Sequence, residues 1–167
     1  MIASSMGPMH MSANRNYEVQ RTNHFEIVIA GLSNDITLMV DSTTLSTITV
    51  EPVELGFGNS KVKVAGQASY EDVTVVVKDA VIADIEGQLY DWFKQVYDPE
   101  TDQVGWAADY KKQARLYEYS VDGRIARSWK LEGIWPTSFE GGEFTYDGGD
   151  KRVINMPLAV DKAYPVR

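Results

Sequence analysis

Strict alternation of apolar and polar residues runs through much of this chain, and it constrains the fold more than any other feature. Side chains on a strand point to opposite faces in turn, so a period of two marks a strand with one buried face. Phe25, Ile27 and Ile29 share one such face. Ile36, Leu38 and Val40 suggest a second strand, reached through the turn Gly31-Leu32-Ser33-Asn34-Asp35. A third is expected over residues 46–53, with Ile48 and Val50 inward and Thr47, Thr49 and Glu51 outward. The glycine-containing stretch Glu54-Leu55-Gly56-Phe57-Gly58-Asn59-Ser60 reads as irregular and leads into a short strand over 61–65. Val73, Val75 and Val77 then give another clean face.

One segment breaks this rhythm. Ile85, Leu89, Trp92, Phe93 and Val96 recur at helical spacing behind Asp84, a suitable N-cap, and Asp98-Pro99 closes the helix. The wide aromatic stripe predicts a helix lying flat across a sheet. A polar connection over 100–109 follows. Strands return over 113–120 and 125–134, flanking Asp122-Gly123, a dipeptide suited to a type I′ turn. Ile125, Arg127, Trp129 and Leu131 share a face of the second. Segments 143–146 and 152–160 suggest a further hairpin around Asp147-Gly148-Gly149-Asp150. The expected fold is mainly β: a β-sandwich or barrel of about seven to eight antiparallel strands with one packed α-helix. Residues 1–16, polar and Met-rich, read as a flexible N-terminal arm, and residues 17–167 as a single β domain.

Chemistry is constrained by what the chain lacks. It contains no cysteine, which removes disulfides, thiolate metal sites and Cys nucleophiles. Its two histidines, His10 and His24, form no metal-ligand spacing, and a Ser-His-Asp triad would have to use His24, more simply a strand-edge residue. Glu51 with Glu54, or Glu71 with Asp72, would make an acid–base pair only if a cleft brought them together. Asp147–Asp150 has the carboxylates of a calcium loop but not its spacing, and Gly56-Phe57-Gly58 is no phosphate loop. No metal or cofactor is expected. Trp129, Trp135, Tyr117 and Tyr119 fall on adjacent strands, where they serve a core, a subunit interface or a stacking surface for sugars. The net charge of −8 disfavours nucleic-acid binding. No apolar run approaches the roughly 18–20 residues that would cross a membrane, and the N-terminal segment lacks the pattern of a signal peptide.

Several segments, in order, carry a family resemblance. They are Val53 to Gly66, then Tyr70-Glu71-Asp72-Val73-Thr74-Val75, then Ala108-Asp109-Tyr110-Lys111-Lys112. Leu131-Glu132-Gly133-Ile134-Trp135-Pro136-Thr137 and Leu158-Ala159-Val160-Asp161 complete the set. Together, over Asn23 to Tyr164, the chain resembles the tail tube protein of contractile-tailed (T-even-like) bacteriophages. The Met-rich start and the short tail after Tyr164 depart from that pattern. The resemblance implies a non-enzymatic virion protein, made in the host bacterial cytoplasm, whose hexameric rings stack into a hollow tube. Its implied partners are its own copies, a contractile sheath, and baseplate and tape-measure proteins. DNA would pass through the lumen without specific binding, and no membrane is involved.

On that reading Asp41, Glu51 and Asp72 are candidate lumen carboxylates. Gly56, Phe57, Gly58, Asn59, Ser60, Lys61 and Lys63 form a candidate inter-ring loop that orders on assembly. Six subunits would place roughly 50 negative charges on a ring and keep DNA from adhering. The same ring would serve the inner tube of a phage-like contractile injection system. A reading of a different class is a carbohydrate-binding β-sandwich using Trp129, Trp135 and a carboxylate pair.

Overall fold

A computed structural model of the chain describes residues 15–167. Residues 1–14, with His10 and most of the expected arm, lie outside it, while Arg15–Tyr17 form a short 3-10 turn. The first strands are β1 (Phe25–Ile29), β2 (Val40–Thr43), β3 (Ile48–Phe57), β4 (Ser60–Tyr70) and β5 (Val73–Lys78). They are followed by β6 (Tyr97–Asp98), β7 (Gln103–Val104), β8 (Lys112–Tyr119), β9 (Ile125–Pro136), β10 (Val153–Ala159) and β11 (Lys162–Val166). Three helices interleave with them: α1 (Asn34–Met39), α2 (Ile85–Val96) and α3 (Ala107–Tyr110).

Seven strands form one antiparallel sheet in the order β1-β8-β9-β10-β5-β2, with β11 on the second edge of β9. Strand β9 is the hinge of the architecture. Its first part lies between β8 and β11, while Trp135 and Pro136 at its end pair with β10. The change of partner coincides with Gly133, whose φ is +66° and where the register to β8 slips. The slip inserts a residue, so the inward set passes from Leu131 to Ile134 and Pro136. One strand thereby serves two layers.

Between the layers lie the alternating faces read from the sequence. Ile27 and Ile29, Val73, Val75 and Val77, and Ile154, Met156 and Leu158 are all buried. Helix α2 is capped as expected: the Asp84 carboxylate accepts from the Gly87 N–H at 3.2 Å. Its Ile85, Leu89 and Trp92 are buried, each contributing about 1.5–3 kcal/mol by leaving water. The Trp92 Nε1–H donates to the Tyr110 carbonyl at 2.8 Å, tying α2 to α3.

Five local expectations are corrected. The segment read as a strand at Ile36–Val40 is helix α1 running into β2. It turns Ile36 inward, packs Met39 and Val40 on the core and leaves Leu38 exposed, a spacing of three and four rather than two. The stretch 54–60 is not irregular but continuous with β3, closed by the two-residue turn Gly58-Asn59 with Gly58 at φ +59°. Ile48 and Val50 do not point into the core and are about half exposed. At Asp122-Gly123 only the glycine has positive φ, so the turn is not type I′, which requires it at both central residues. No strand forms at 143–146, a stretch flanked by Gly141, Gly142, Gly148 and Gly149 in which Phe144 and Tyr146 face solvent. Only the bridge Glu140–Asn155 remains of that hairpin.

Candidate functional site

The most unusual part of the molecule is a continuation of its sheet. Between β2 and β3 the Thr44 N–H donates to the Thr74 carbonyl at 3.1 Å, and the Glu71 N–H to Thr47 at 3.0 Å. The Ser46 hydroxyl, nearly buried, donates to the Glu71 carbonyl at 2.6 Å. Strands β2–β3 and β4–β5 are therefore one long hairpin, its lower part in the core sheet and its upper part a two-stranded sheet of its own. At about 3.3 Å per residue the free part, β3–β4, reaches roughly 30 Å. Val53, Leu55, Val62 and Val64 on it are 43–46% exposed, and Phe57 near its tip is 67% exposed. A lone two-stranded hairpin is marginal in water, and nothing among the described residues covers this arm.

Every residue of the expected inter-ring loop (Gly56, Phe57, Gly58, Asn59, Ser60, Lys61, Lys63) lies at the distal end of this arm. They form a regular hairpin tip rather than an irregular loop. Lys61 Nζ stands 3.0 Å from Glu54 and Lys63 Nζ 4.0 Å, exposed cross-strand pairs of small energetic worth.

The three candidate lumen carboxylates are spread along the same hairpin rather than clustered. Asp41 on β2 lies 2.7 Å from Lys151 Nζ and 3.5 Å from Lys78 Nζ. The Lys151 hydrogen bond chiefly holds its carboxyl below the usual range, and its charge is compensated. Glu51 sits at the irregularity opposite Gly66, and Asp72 between β4 and β5; both are exposed, and neither has an ion-pair partner among the described residues.

The core sheet also ends openly. Its terminal strands β1 and β2 each have a strand on one side only. They flank a groove of about 980 Å³ that reaches down to Ile27 and Leu116. His24 lines this groove from the turn before β1. Free edges of this kind template pairing with another chain unless something covers them.

Stacking and catalytic readings fare differently. Because of the slip at Gly133, Trp129 packs toward the core, whereas Trp135 falls on the other face against Tyr110, their rings 5.6 Å apart. Tyr119 donates to the Glu26 carboxylate. These aromatics do not share a flat exposed platform for a sugar. Glu54 is occupied by Lys61, and Glu71 and Asp72 stand on an exposed strand connection. No group of three or more His, Asp or Glu side chains among the described residues is placed to hold a metal ion, and no helix there is long and apolar enough to cross a membrane.

One hub was not read from the sequence. The Arg152 guanidinium donates to Glu86 at 2.7 and 3.0 Å, to Asp79 at 3.0 Å and to the Gly141 carbonyl at 2.8 Å. Its cationic carbon also lies 4.5 Å from the centre of the Phe144 ring. Hydrogen bonding to Glu86 raises the arginine pKa further and lowers that of Glu86. Arg152 thus fastens the glycine-rich 141–150 loop to the start of α2. No spacing rule links residues 79, 86 and 152, so the sequence carries no signal for it.

A β core whose strands β1, β2 and β11 each pair on one side only, with a long, uncovered apolar arm, fits a class: subunits that assemble with one another. The chain belongs to the T4-like virus tail tube protein gp19 family, whose model matches residues 21–163. It is 28% identical over 145 residues to the tail tube protein gp19 of Enterobacteria phage T4, and 27% identical over 145 residues to that of phage T6. In both cases the match spans 84% of this chain and 88% of the relative. The fold is shared with the cap of the anti-feeding prophage, at a TM-score of 0.72 and 17% identity over 89% of this chain and 91% of that one. It is shared also with a chain of the sheath–tube complex of the extracellular contractile injection system PVC, at 0.71 and 17% over 97% and 99%. The protein is a structural subunit of an inner tail tube.

Proposed function

We propose that residues 17–167 form the tube-building domain of a phage virion. Six copies close into a ring, and rings stack into the conduit through which the genome leaves. The uncovered β3–β4 arm carries this reading: its half-exposed valines, leucine and phenylalanine require burial that one chain does not supply. Ring closure would also cover the free edges of β1 and β2. The sheath surrounds the tube, and baseplate and tape-measure proteins meet it at its ends and in its lumen. The subunit has a scaffolding rather than a catalytic role and is made in the cytoplasm of the host bacterium. Sequence relatives from phages T4 and T6 favour a virus over a contractile injection system, although the shared fold suits either.

The purified chain is expected to give hollow rings or tubes in negative-stain images, with six-fold end views. A protein that stays monomeric at high concentration would overturn the proposal. Removing residues 56–63 should leave monomers or single rings, and long normal tubes from that deletion would exclude the tip from stacking.

Lumen repulsion of DNA is assigned to Glu51 and Asp72, whose charges are uncompensated, with Asp41 contributing little because of Lys151 and Lys78. Glu51→Gln with Asp72→Asn should slow genome ejection while tubes still form. Unchanged ejection would remove these two residues from the lumen set.

A further inference from the structure

We infer that the solvent face of the four-stranded layer β11-β9-β8-β1 docks the contractile sheath, and that the sheath meets it with carboxylates. The inference rests on the tube reading above and names the surface and the partner chemistry. Register sets the composition of this face. The rows Ile29–Ala114–Leu131–Ala163 and Ile27–Leu116–Trp129 turn toward the core. Between them the row Val28–Arg115–Lys130–Tyr164 crosses all four strands and therefore points the other way, to solvent. Glu26–Tyr117–Ser128 flanks it on one side and Glu132–Lys162 on the other.

Arg115 and Lys130 are direct cross-strand partners, a like-charge pairing that costs the isolated subunit stability. Both carboxylates on the face are already engaged. Glu132 lies 2.7 Å from Lys130 Nζ and accepts from the Tyr164 hydroxyl at 2.8 Å, and Glu26 accepts from Tyr119. Arg115 and Lys162, both exposed, form no ion pair among the described residues. Three cations against two carboxylates leave the face positive on a chain of net charge −8.

The passage of DNA decides which way this face points in a tube. The other layer, β2-β5-β10, turns uncharged rows away from the core, Ser42–Val76–Asn155 and Thr74–Pro157, and its Lys78 is paired with Asp41 at 3.5 Å. It is also the layer continuous with Asp72 and Glu51, to which lumen repulsion is assigned above. A lumen wall bearing Arg115 and Lys162 in every subunit would instead hold phosphates, because each cation that neutralises one releases a counterion. The two layers enclose one core between them, so a lumen lined by β2-β5-β10 turns the β11-β9-β8-β1 face to the outside, where the sheath lies.

The size of the face says how it binds. Four strands about 4.8 Å apart and about five residues of about 3.3 Å each make roughly 300 Å². A standard interface buries about 800 Å² per partner, so one subunit is a weak site. The repeated faces of an assembled tube supply the rest by avidity. Tyr164, 38% exposed and fixed by Glu132, gives each face an aromatic anchor beside its cations.

Tubes of the full-length chain mixed with the sheath protein of the same virus test this by electron microscopy and co-sedimentation. Wild-type tubes should bind sheath, added salt should weaken the binding, and the unassembled chain should bind at least about ten-fold less. Arg115→Glu combined with Lys162→Gln should leave melting temperature and tube length unchanged, since both side chains are exposed. The same pair should reduce sheath binding by about ten-fold or more at low salt, and Arg115→Lys alone should retain it. Wild-type binding by the double variant, or wild-type tubes that bind no sheath, would overturn the docking face and leave the tube reading standing. Loss of tubes in the double variant would make the face a contact between copies, and normal sheathing with altered genome ejection would place it in the lumen; either result overturns the inference. A wild-type chain that forms no tubes would overturn the tube reading itself, a separate failure.

Discussion

Replacing Gly133 by alanine tests whether β9 owes its change of partner to one residue. In the folded chain Gly133 has φ +66°, and a Cβ there would stand 2.0 Å from Asp161 Oδ2, 2.5 Å from its Cγ and 2.9 Å from its Cβ. Left-handed backbone costs a non-glycine residue about 1–2 kcal/mol. Displacing the Asp161 side chain breaks its exposed 2.7 Å pair with Lys111, worth roughly 0.2–1 kcal/mol. Because the Asp161 Cβ is also too close, the backbone must retreat, straining the hydrogen bond from Asp161 N–H to the Glu132 carbonyl at 3.0 Å, worth about 1 kcal/mol. The sum is about 2–4 kcal/mol, or roughly 5–10 °C in melting temperature for a domain of this size. Urea unfolding at fixed protein concentration measures it free of assembly effects. In an Asp161→Gly background the contacting atoms are gone, and the penalty of Gly133→Ala should fall to the backbone part, about 1–2 kcal/mol. A penalty below about 0.5 kcal/mol in the parent, or one unchanged by Asp161→Gly, would refute the argument.

Arg152→Met should cost about 1–2 kcal/mol, discounted because Glu86 is 43% exposed. It should also open the 141–150 loop to limited proteolysis, and wild-type cleavage rates would count against the clamp. Its pH dependence has a definite sign. Arg152 holds Glu86 below its ordinary value of 4.5, so this stability is present above that value and lost as the pH falls through the lower folded one. Acid melts of the wild type should show that loss and Arg152→Met should not. Trp92→Phe leaves the Tyr110 carbonyl without its donor and should lower stability by about 1–3 kcal/mol in urea unfolding; a neutral result would mean that water replaces the indole. Asp84 caps α2 with φ +49°. Asp84→Ala should therefore destabilise by about 1–2 kcal/mol and Asp84→Gly by less, an order that thermal melts can check.

Reading from residues to structure worked where pattern and packing are local. Val73, Val75 and Val77 alternate and are buried, and Asp84 with the Ile85–Leu89–Trp92 stripe caps and buries a helix as its spacing requires. It failed where two periods fit the same residues. Ile36, Leu38 and Val40 alternate, yet Ile36, Met39 and Val40 fit a helical face equally well, and contacts with the core decided between them. The glycines around Phe57 suggested a break, but Gly56 is an ordinary strand residue and only Gly58 turns the chain. Residues 56–61 and 63 come together at the tip of the arm because they are neighbours in sequence. Compensation of Asp41 was invisible, since Lys151 lies 110 positions away.

By itself, the amino-acid sequence determined which faces of most core strands are apolar, where the long helix starts and which chemistries lack their residues. Its ordered segments also pointed to the tail tube family. These are properties of spacing and residue type, and they survive without knowledge of contacts. Only the tertiary structure decided that β9 bends at Gly133 to join two layers and that Arg152 holds the 141–150 loop. It alone showed that the alternation from Ile48 to Phe57 faces no core of its own. A period of two states that a face is to be buried but not against which body, because the partner of a strand face is chosen by distant chain or by another molecule. In this protein the arm's faces are left uncovered by its own core.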